Sequence, residues 1–214
     1  MDGVLLDSEK VALRSWLEVN EASWHLKDLD KHYTRFIGRN QADGLELMKS
    51  IYGEDINAQK FFVECRQHLA DLYRAEGIPV KEGAFEILTF LKEKNIPVAL
   101  CSGTDADRIR KNLELTGLSP FFQEIIGGDM VPHGKPDPDC YLISCKRLGL
   151  DPKECLGVED SPNGLRALRS AGLYAVMIPD LVAPTKELRL IADRVEESLL
   201  TLLEFLKTEL SLSE

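Results

Sequence analysis

Short apolar segments alternate with helical segments over the last two thirds of the chain, and this alternation constrains the fold more than any other feature. Strands that are buried on both faces and joined by helices form parallel sheets with a layer of helices on each side. The pattern therefore predicts an α/β fold with a doubly wound, Rossmann-like parallel sheet. The apolar runs of strand length are IPVALC (96–101), FQEIIGG (122–128), CLGVE (155–159) and LYAVMIP (173–179).

Residues 8–76 have a different pattern, because helical spacing of apolar residues continues there with no strand signal. Trp16, Leu17, Val19 and Trp24 are part of this spacing. We expect a small helical bundle in which one long helix begins at a capping Asp55. The division predicts an α/β core made of residues 1–7 and 78–214, and a helical insert at residues 8–77. A last helix is predicted over about 198–210.

The net charge and the cysteine content limit which partners and which cellular compartment we expect for this chain. The net charge is −10 and the pI is near 5.0, which argues against nucleic acid or an anionic membrane as the main partner. The five cysteines form no CxxC pair, and no apolar run is long enough to span a bilayer. We expect a cytoplasmic monomer with free thiols, whose partner is a small molecule.

The loops that follow the predicted strands carry the polar residues, and ligands in such folds bind beyond the carboxyl ends of the strands. Ser102, Gly103 and Thr104 follow the first predicted strand and precede a helix. A hydroxyl and free N–H groups at a helix start can hold an anion. The same residues are also typical of an ordinary N-cap turn, and this stays open.

The segment GKPDPD places Lys135 between Gly134 and Pro136, with a second proline at Pro138. A cation on such a restrained backbone suits binding of a phosphoryl group or a carboxylate. The alternative is a surface lysine in a turn.

Adjacent carboxylates, Glu159 and Asp160, end another predicted strand. Two neighbouring acids repel each other unless a cation or hydrogen-bond donors satisfy them. Oxygen ligands at an open site suit Mg²⁺, which usually shares a phosphate with the protein. The alternative is that Asp160 or Ser161 only caps the helix that begins at Pro162.

An ordered set of four segments resembles one protein family closely over essentially the whole chain. The segment MDGVLLDSE, with Asp2 at a glycine turn, is similar to the family's first motif. The other three segments are ALCSGT, HGKPDPDCY and LGVEDSPNGLRALRSAG. The resemblance is to the haloacid dehalogenase superfamily, in its β-phosphoglucomutase-like branch of small phosphatases.

The resemblance implies a Mg²⁺-dependent phosphatase of small phosphorylated metabolites, such as sugar phosphates, acting through an aspartyl-phosphate. Asp2 would be the general acid and base, and Mg²⁺ would bind at Asp2, Glu159 and Asp160. The phosphoryl group would be held by three residues, namely Ser102, Gly103 and Lys135.

By the same resemblance the insert at residues 8–77 is a cap domain, whose loop FIGRNQADG faces the active site. We expect Arg39, Asn40 and Gln41 to contact the substrate there. The alternative for Arg39 is a solvated position at a helix start.

The resemblance also places the nucleophilic Asp one position before Met1, at the end of a central strand. Three explanations are open, namely a misassigned start, a truncation and a non-catalytic phosphate-binding relative, and the first is favoured. Loss of a central strand would leave unpaired hydrogen-bonding groups on both neighbours, each costing about 1–3 kcal/mol. Residues 1–214 alone are expected to be nearly inactive.

A phosphosugar mutase of the β-phosphoglucomutase type is the alternative reaction. The mutases of this branch carry a His at the position of Ala12 and an Arg at the position that aligns with Gln41. Both departures favour hydrolysis. A non-catalytic relative that binds a phosphorylated ligand is the other alternative.

Overall fold

The computed structural model describes residues 1–37, 39 and 41–211. The predicted helical insert is helical in the structure, and a π-helical turn at Asn20–Trp24 continues its first helix. The prediction that Asp55 caps the long helix is wrong, because that helix begins at Ala58 and the side chain of Asn57 accepts from the N–H of Lys60. The helices are α1 (Ser8–Val19), α2 (Leu29–Tyr33), α3 (Gln41–Tyr52) and α4 (Ala58–Glu76).

Strands and helices alternate over the rest of the chain, as predicted. The strands are β1 (Ala99–Cys101), β2 (Glu124–Ile126), β3 (Leu156–Glu159), β4 (Tyr174–Met177) and β5 (Arg194–Val195). The helices are α5 (Ala84–Glu93), α6 (Ala106–Thr116), α7 (Asp139–Leu148), α8 (Pro162–Ala171), α9 (Lys186–Ile191) and α10 (Leu199–Ser211).

All strand pairs in the described residues are parallel, but they form two sheets rather than one. One sheet pairs β1 with β2, and the other has the order β3-β4-β5. The segment Val4–Leu6 lies in the apolar cluster that also contains Leu100 of the first sheet and Val176 of the second. No described strand forms hydrogen bonds with both sheets. The two sheets are therefore joined by the packing of apolar side chains.

Helices cover both faces of the sheets. Val176 packs in a cluster with α5, α6 and α10, whereas its neighbours Ala175 and Met177 pack in a cluster with α7, α8 and α9. Successive side chains of a strand point to opposite faces. The α/β, doubly wound architecture is thus confirmed.

The helical insert has a separate apolar cluster. Its buried residues lie between Leu29 and Cys65, and Trp16 packs against Tyr33, Phe36 and Phe61 through ring contacts of 5.0–5.3 Å. The insert joins the core through two adjacent segments, where the N–H of Asp7 donates to the carbonyl of Pro79 at 2.9 Å. The exact domain boundaries stay a prediction. In the described part of the chain, no helix has the length and apolar composition needed to cross a bilayer.

Candidate active site

A cavity of about 460 Å³ lies between the loops of the α/β core and the helical insert. We call its two sides the core wall and the cap wall. The core wall carries the polar residues predicted from the strand ends: Asp2, Ser102, Gly103, Lys135, Glu159 and Asp160. The cap wall is mostly apolar and consists of Glu9, Trp16, Tyr33, Phe36, Ile37 and Arg39.

The loop after β1 presents Ser102 and Gly103 to the cavity. Ser102 is buried, its N–H donates to the carbonyl of Ile126 at 3.1 Å, and its Oγ accepts from the N–H of Thr104 at 3.2 Å. The two interpretations of this segment are therefore compatible. Ser102 is part of a turn before α6, and it also lines the cavity.

Lys135 is not a surface lysine. Its side chain is only 15% exposed, and its ammonium forms an ion pair with Glu159. The same Nζ atom lies 3.4 Å from the carbonyl oxygen of Cys101 and 5.0 Å from the ring centre of Tyr141. A buried lysine that is held in this way presents a fixed positive charge to the cavity.

Glu159 has a full set of partners. It accepts hydrogen bonds from Lys135, from the hydroxyl of Tyr141, and from the hydroxyl of Ser161 at 3.2 Å. Burial is the largest influence and opposes the charge of this carboxylate, but the Lys135 ammonium, the N-terminal amine and the hydrogen bonds from Lys135 and Tyr141 together outweigh burial and lower the pKa of Glu159 below its usual value. Glu159 is therefore ionised at neutral pH.

Asp160 lies beside Glu159, but its pKa is shifted in the opposite direction. Burial and the negative charge of Glu159 together raise the pKa of Asp160 to about 8. The helix-capping role belongs to Ser161, whose Oγ accepts from the N–H of Gly164 at 3.1 Å. Asp160 is thus not needed as the cap and is available for another role.

The first motif approaches Asp160 closely. Gly3 has a positive φ of +69°, and a Cβ at this position would lie 2.1 Å from Oδ2 of Asp160. Only glycine fits both the backbone conformation and the space. The neighbouring Asp2 carboxylate accepts from the hydroxyl of Ser8 at 2.7 Å.

The donor chemistry of the core wall fits Mg²⁺. Burial and the charge of Glu159 raise the pKa of the Asp160 carboxyl group, and a bound cation would offset both effects. Asp160 and the backbone carbonyl of Asp2 would be the oxygen ligands, while Glu159 is already paired with Lys135. Among the described residues, no three His, Cys, Asp or Glu side chains cluster as a ready metal site.

The three predicted cap-loop residues have different outcomes. Arg39 lines the cavity, is exposed, and donates from Nε to the carbonyl of Arg35 at 2.8 Å. Gln41 is not among the residues that line the cavity, and its amide donates to Gln59 at 3.3 Å. Asn40 lies outside the described residues.

Sequence reasoning missed Glu9 and Tyr141. Glu9 lies on the cap wall and accepts from the hydroxyl of Tyr33 at 2.9 Å. Burial and the charge of Asp2 raise its pKa to about 7. Both residues stand inside the quoted motifs, Glu9 in MDGVLLDSE and Tyr141 in HGKPDPDCY. A search for every titratable side chain within the quoted motifs could have found them.

Comparison with known proteins agrees with this geometry. The model of the haloacid dehalogenase-like hydrolase family matches residues 1–172. A phosphorylated carbohydrates phosphatase from Thermotoga maritima is 30% identical over 176 residues, which cover 82% of this chain and 81% of the relative.

Two solved structures have the same fold. A hydrolase from Pseudomonas syringae superposes with a TM-score of 0.81 at 27% identity and covers 97% of this chain and 95% of its own. A β-phosphoglucomutase from Clostridium difficile superposes with a TM-score of 0.76 at 21% identity, covering 97% of this chain and 92% of its own. The second likeness concerns the fold alone.

The predictions of family and of a hydrolytic enzyme of the phosphatase type are confirmed by these matches. The family model covers far more than half of the chain, and it includes all four motifs and every residue of the core wall. The chain belongs to the haloacid dehalogenase-like hydrolase family.

Proposed function

We propose that this chain is a Mg²⁺-dependent phosphatase that hydrolyses phosphate monoesters of small metabolites such as sugar phosphates. The observation that carries the proposal is the meeting of Asp2, Ser102, Lys135 and Asp160 around one cavity. Phosphoryl transfer needs mainly positioning and neutralisation of charge. The core wall offers a hydroxyl, a buried ammonium and carboxylates for that purpose.

Each residue of the core wall has a role in the proposed reaction. The hydroxyl of Ser102, the N–H of Gly103 and the ammonium of Lys135 hold the oxygens of the phosphoryl group. Bound at Asp160 and the Asp2 carbonyl, Mg²⁺ would offset the charge on those oxygens. Asp2 donates a proton to the leaving alcohol and later takes one from the attacking water. The hydroxyl of Ser8 keeps the Asp2 carboxylate in place.

The attacking carboxylate is proposed to stand directly before Met1. It would form a bond to phosphorus as the ester oxygen leaves, giving an aspartyl-phosphate that water then hydrolyses. Residues 1–214 alone would bind phosphate but hydrolyse esters very slowly.

The cap wall is proposed to contact the leaving group. Glu9 and the hydroxyl of Tyr33 can exchange hydrogen bonds with substrate hydroxyls, and the rings of Trp16 and Phe36 can pack against the C–H faces of a sugar. The related phosphatase from Thermotoga maritima is named for phosphorylated carbohydrates, which supports this class. We propose that residues 8–77 act as a cap and that the protein is cytoplasmic.

The mutase alternative is not favoured by any contact in the described residues. Ala12 lines a small cavity beside Asp2, Ser8 and Glu9, and its methyl group can neither donate nor accept a proton. A mutase needs an acid or base that hydrolysis does not, and this position offers none.

The test compares three chains. The first is residues 1–214, the second carries an apolar strand that ends in Asp directly before Met1, and the third carries the same strand ending in Asn. Mg²⁺-dependent phosphate release is measured from p-nitrophenyl phosphate and from a panel of sugar phosphates. We expect activity only in the second chain. Equal activity in the Asn chain, or none in any folded chain, would contradict the proposal.

A further inference from the structure

Two of the cysteines form a pair that the proposed mechanism does not use. Cys101 is the last residue of β1, and Cys140 lies in the first turn of α7. The Sγ atom of Cys101 lies 3.4 Å from the carbonyl oxygen of Cys140 and 3.4 Å from Oγ of Ser144. The two thiols are close enough to share a hydrogen bond, and both cysteines are free.

The pair lies directly behind the core wall. Cys101 precedes Ser102 in the chain, and its carbonyl oxygen lies 3.4 Å from Nζ of Lys135. Cys140 belongs to the helix that follows the Lys135 loop. A covalent bond between the two sulfur atoms would therefore join the two segments that carry Ser102 and Lys135.

The surroundings of Cys101 favour its reactive form. The hydrogen bond with Cys140 lowers the pKa of Cys101 to about 7 although burial acts against it, and the Lys135 ammonium adds to the effect. The thiolate is the form that reacts with peroxides. Cys101 is half-buried, whereas Cys140 is buried, so Cys101 is the more accessible of the two.

We propose that Cys101 and Cys140 are a dithiol site that a hydroperoxide oxidises to a disulfide, and that this disulfide weakens phosphate binding at Ser102 and Lys135. Disulfides that form in a reducing compartment are usually transient or redox-sensing rather than structural.

The reaction has two steps. The Cys101 thiolate attacks one peroxide oxygen and the O–O bond breaks, which gives a sulfenic acid and a hydroxide ion. The hydroxide ion takes a proton and leaves as the first water. The Cys140 sulfur then attacks the sulfenic sulfur, the S–O bond breaks, and a second water leaves with the thiol proton. Two thiols are oxidised, and one hydrogen peroxide is reduced to two waters.

The chain contains a matched control pair. Cys145 and Cys155 also lie close enough to share a hydrogen bond, but burial raises the pKa of Cys145 to about 12. Cys155 is half-buried and its Sγ lies 3.3 Å from the carbonyl oxygen of Asp151. Like Cys101 and Cys140, this pair is not among the residues that line the cavity, and the described hydrogen bond of Cys155 is to Asp151 rather than to the core wall. It tests whether thiol proximity alone is enough for oxidation.

The first experiment treats the reduced protein with hydrogen peroxide, blocks free thiols at successive times and maps the peptides without reduction. We expect a Cys101–Cys140 link with the loss of two hydrogens, formed several-fold faster than a Cys145–Cys155 link, because burial suppresses the thiolate of Cys145. The factor follows from a larger thiolate fraction that is partly offset by lower nucleophilicity. Faster formation of the Cys145–Cys155 link, or oxidation of Cys155 alone, would overturn the dithiol site.

The second experiment measures the Kd of inorganic phosphate by calorimetry before and after oxidation, and it rests on the proposed function. We expect roughly tenfold weaker binding after oxidation, equivalent to the loss of about one hydrogen bond. The variant Cys140→Ser should show no change. An unchanged Kd in a protein with the mapped disulfide would overturn the effect on binding. A reduced protein that binds no phosphate would contradict the proposed function, while the peptide map would still decide on the dithiol.

Discussion

Two glutamates, one buried on the core wall and one half-buried on the cap wall, have pKa values shifted in opposite directions. The pKa of Glu159 on the core wall is lowered, and the pKa of Glu9 on the cap wall is raised to about 7. Burial acts against the charge of both side chains. The difference comes from their partners, because Glu159 has the Lys135 ammonium and Glu9 has only the hydroxyl of Tyr33 within hydrogen-bond range among the described residues.

This comparison separates two kinds of binding surface. The Lys135–Glu159 ion pair gives the core wall fixed charges before any ligand arrives, which suits a phosphoryl group that is the same in every substrate of the proposed reaction. The cap wall carries aromatic rings and one acid whose charge changes near neutral pH. Under the proposed function these side chains would contact leaving groups of different structure, and we expect substrate specificity to depend on the cap wall.

The largest expected effect is the loss of the cation on the core wall. Lys135→Met leaves Glu159 buried without its counter-charge, and removal of one member of a buried pair costs about 3–5 kcal/mol of the free energy of unfolding. Urea denaturation at pH 7 measures the change. The matched control is Lys207→Met, which removes an exposed ion pair with Glu204 and should cost less than about 1 kcal/mol. Similar losses in the two variants would show that the Lys135 pair is not a buried one.

The second effect is a pH dependence that belongs to Glu9. Because folding raises its pKa from 4.5 to about 7, the folded state holds the proton more tightly than the unfolded chain. Stability should therefore fall as the pH rises from about 4.5 to about 7, by about 3 kcal/mol from this residue. Glu9→Gln removes this pH-dependent contribution to stability, since glutamine is uncharged and resembles the protonated acid.

Urea denaturation of the wild type and Glu9→Gln between pH 4.5 and pH 8 isolates the contribution. The two proteins should be similar near pH 4.5, and the variant should be the more stable one above pH 7. A constant difference between the two proteins at all pH values would mean that Glu9 does not titrate in this range.

The third effect is the loss of stability when the tyrosine that donates a hydrogen bond to each glutamate is replaced. At pH 5 the Glu159 carboxylate is ionised and Glu9 is protonated. Tyr141→Phe then removes a hydrogen bond to a charge and should cost about 2 kcal/mol, whereas Tyr33→Phe removes a neutral one and should cost about 1 kcal/mol. Thermal unfolding of both variants at pH 5 shows which substitution destabilises the protein more. The reverse order would contradict the assignment of charge to the two glutamates.

The core wall was predicted from the sequence because parallel strands bring their carboxyl ends to one edge. Ser102 directly follows β1, Glu159 is the last residue of β3, and Asp160 comes directly after it. Recognition of the two strands was therefore enough to predict that these residues lie close together. Lys135 was identified by its glycine and prolines. These features are local, and local patterns can be interpreted without the fold.

The remaining features depend on tertiary contacts. The raised pKa of Glu9 depends on Tyr33, which lies 24 positions along the chain, and on the charge of Asp2. The two-residue strand β5 is too short for any periodicity, and it was missed. The division into two sheets was not predicted, because strand pairing follows from three-dimensional packing and not from the apolar runs themselves.

The smallest effect on stability is expected at Arg39, on the rim of the cap wall. Arg39 is exposed and donates a hydrogen bond to the carbonyl of Arg35, so Arg39→Ala should change the free energy of unfolding by less than about 0.5 kcal/mol. If Arg39 contacts the leaving group, the same variant should raise the KM for a sugar phosphate by about fivefold, equivalent to about 1 kcal/mol. The assay uses the chain that carries Asp before Met1.

Arg35→Ala is the matched control for this prediction, since Arg35 is also exposed but does not line the cavity. Its KM should be unchanged, because its backbone carbonyl remains available to Arg39. A substrate with a minimal leaving group, p-nitrophenyl phosphate, should respond less to Arg39→Ala than a sugar phosphate does. Equal changes in KM for both substrates would assign Arg39 to the phosphoryl group, and the cap wall would then contribute charge as well as shape.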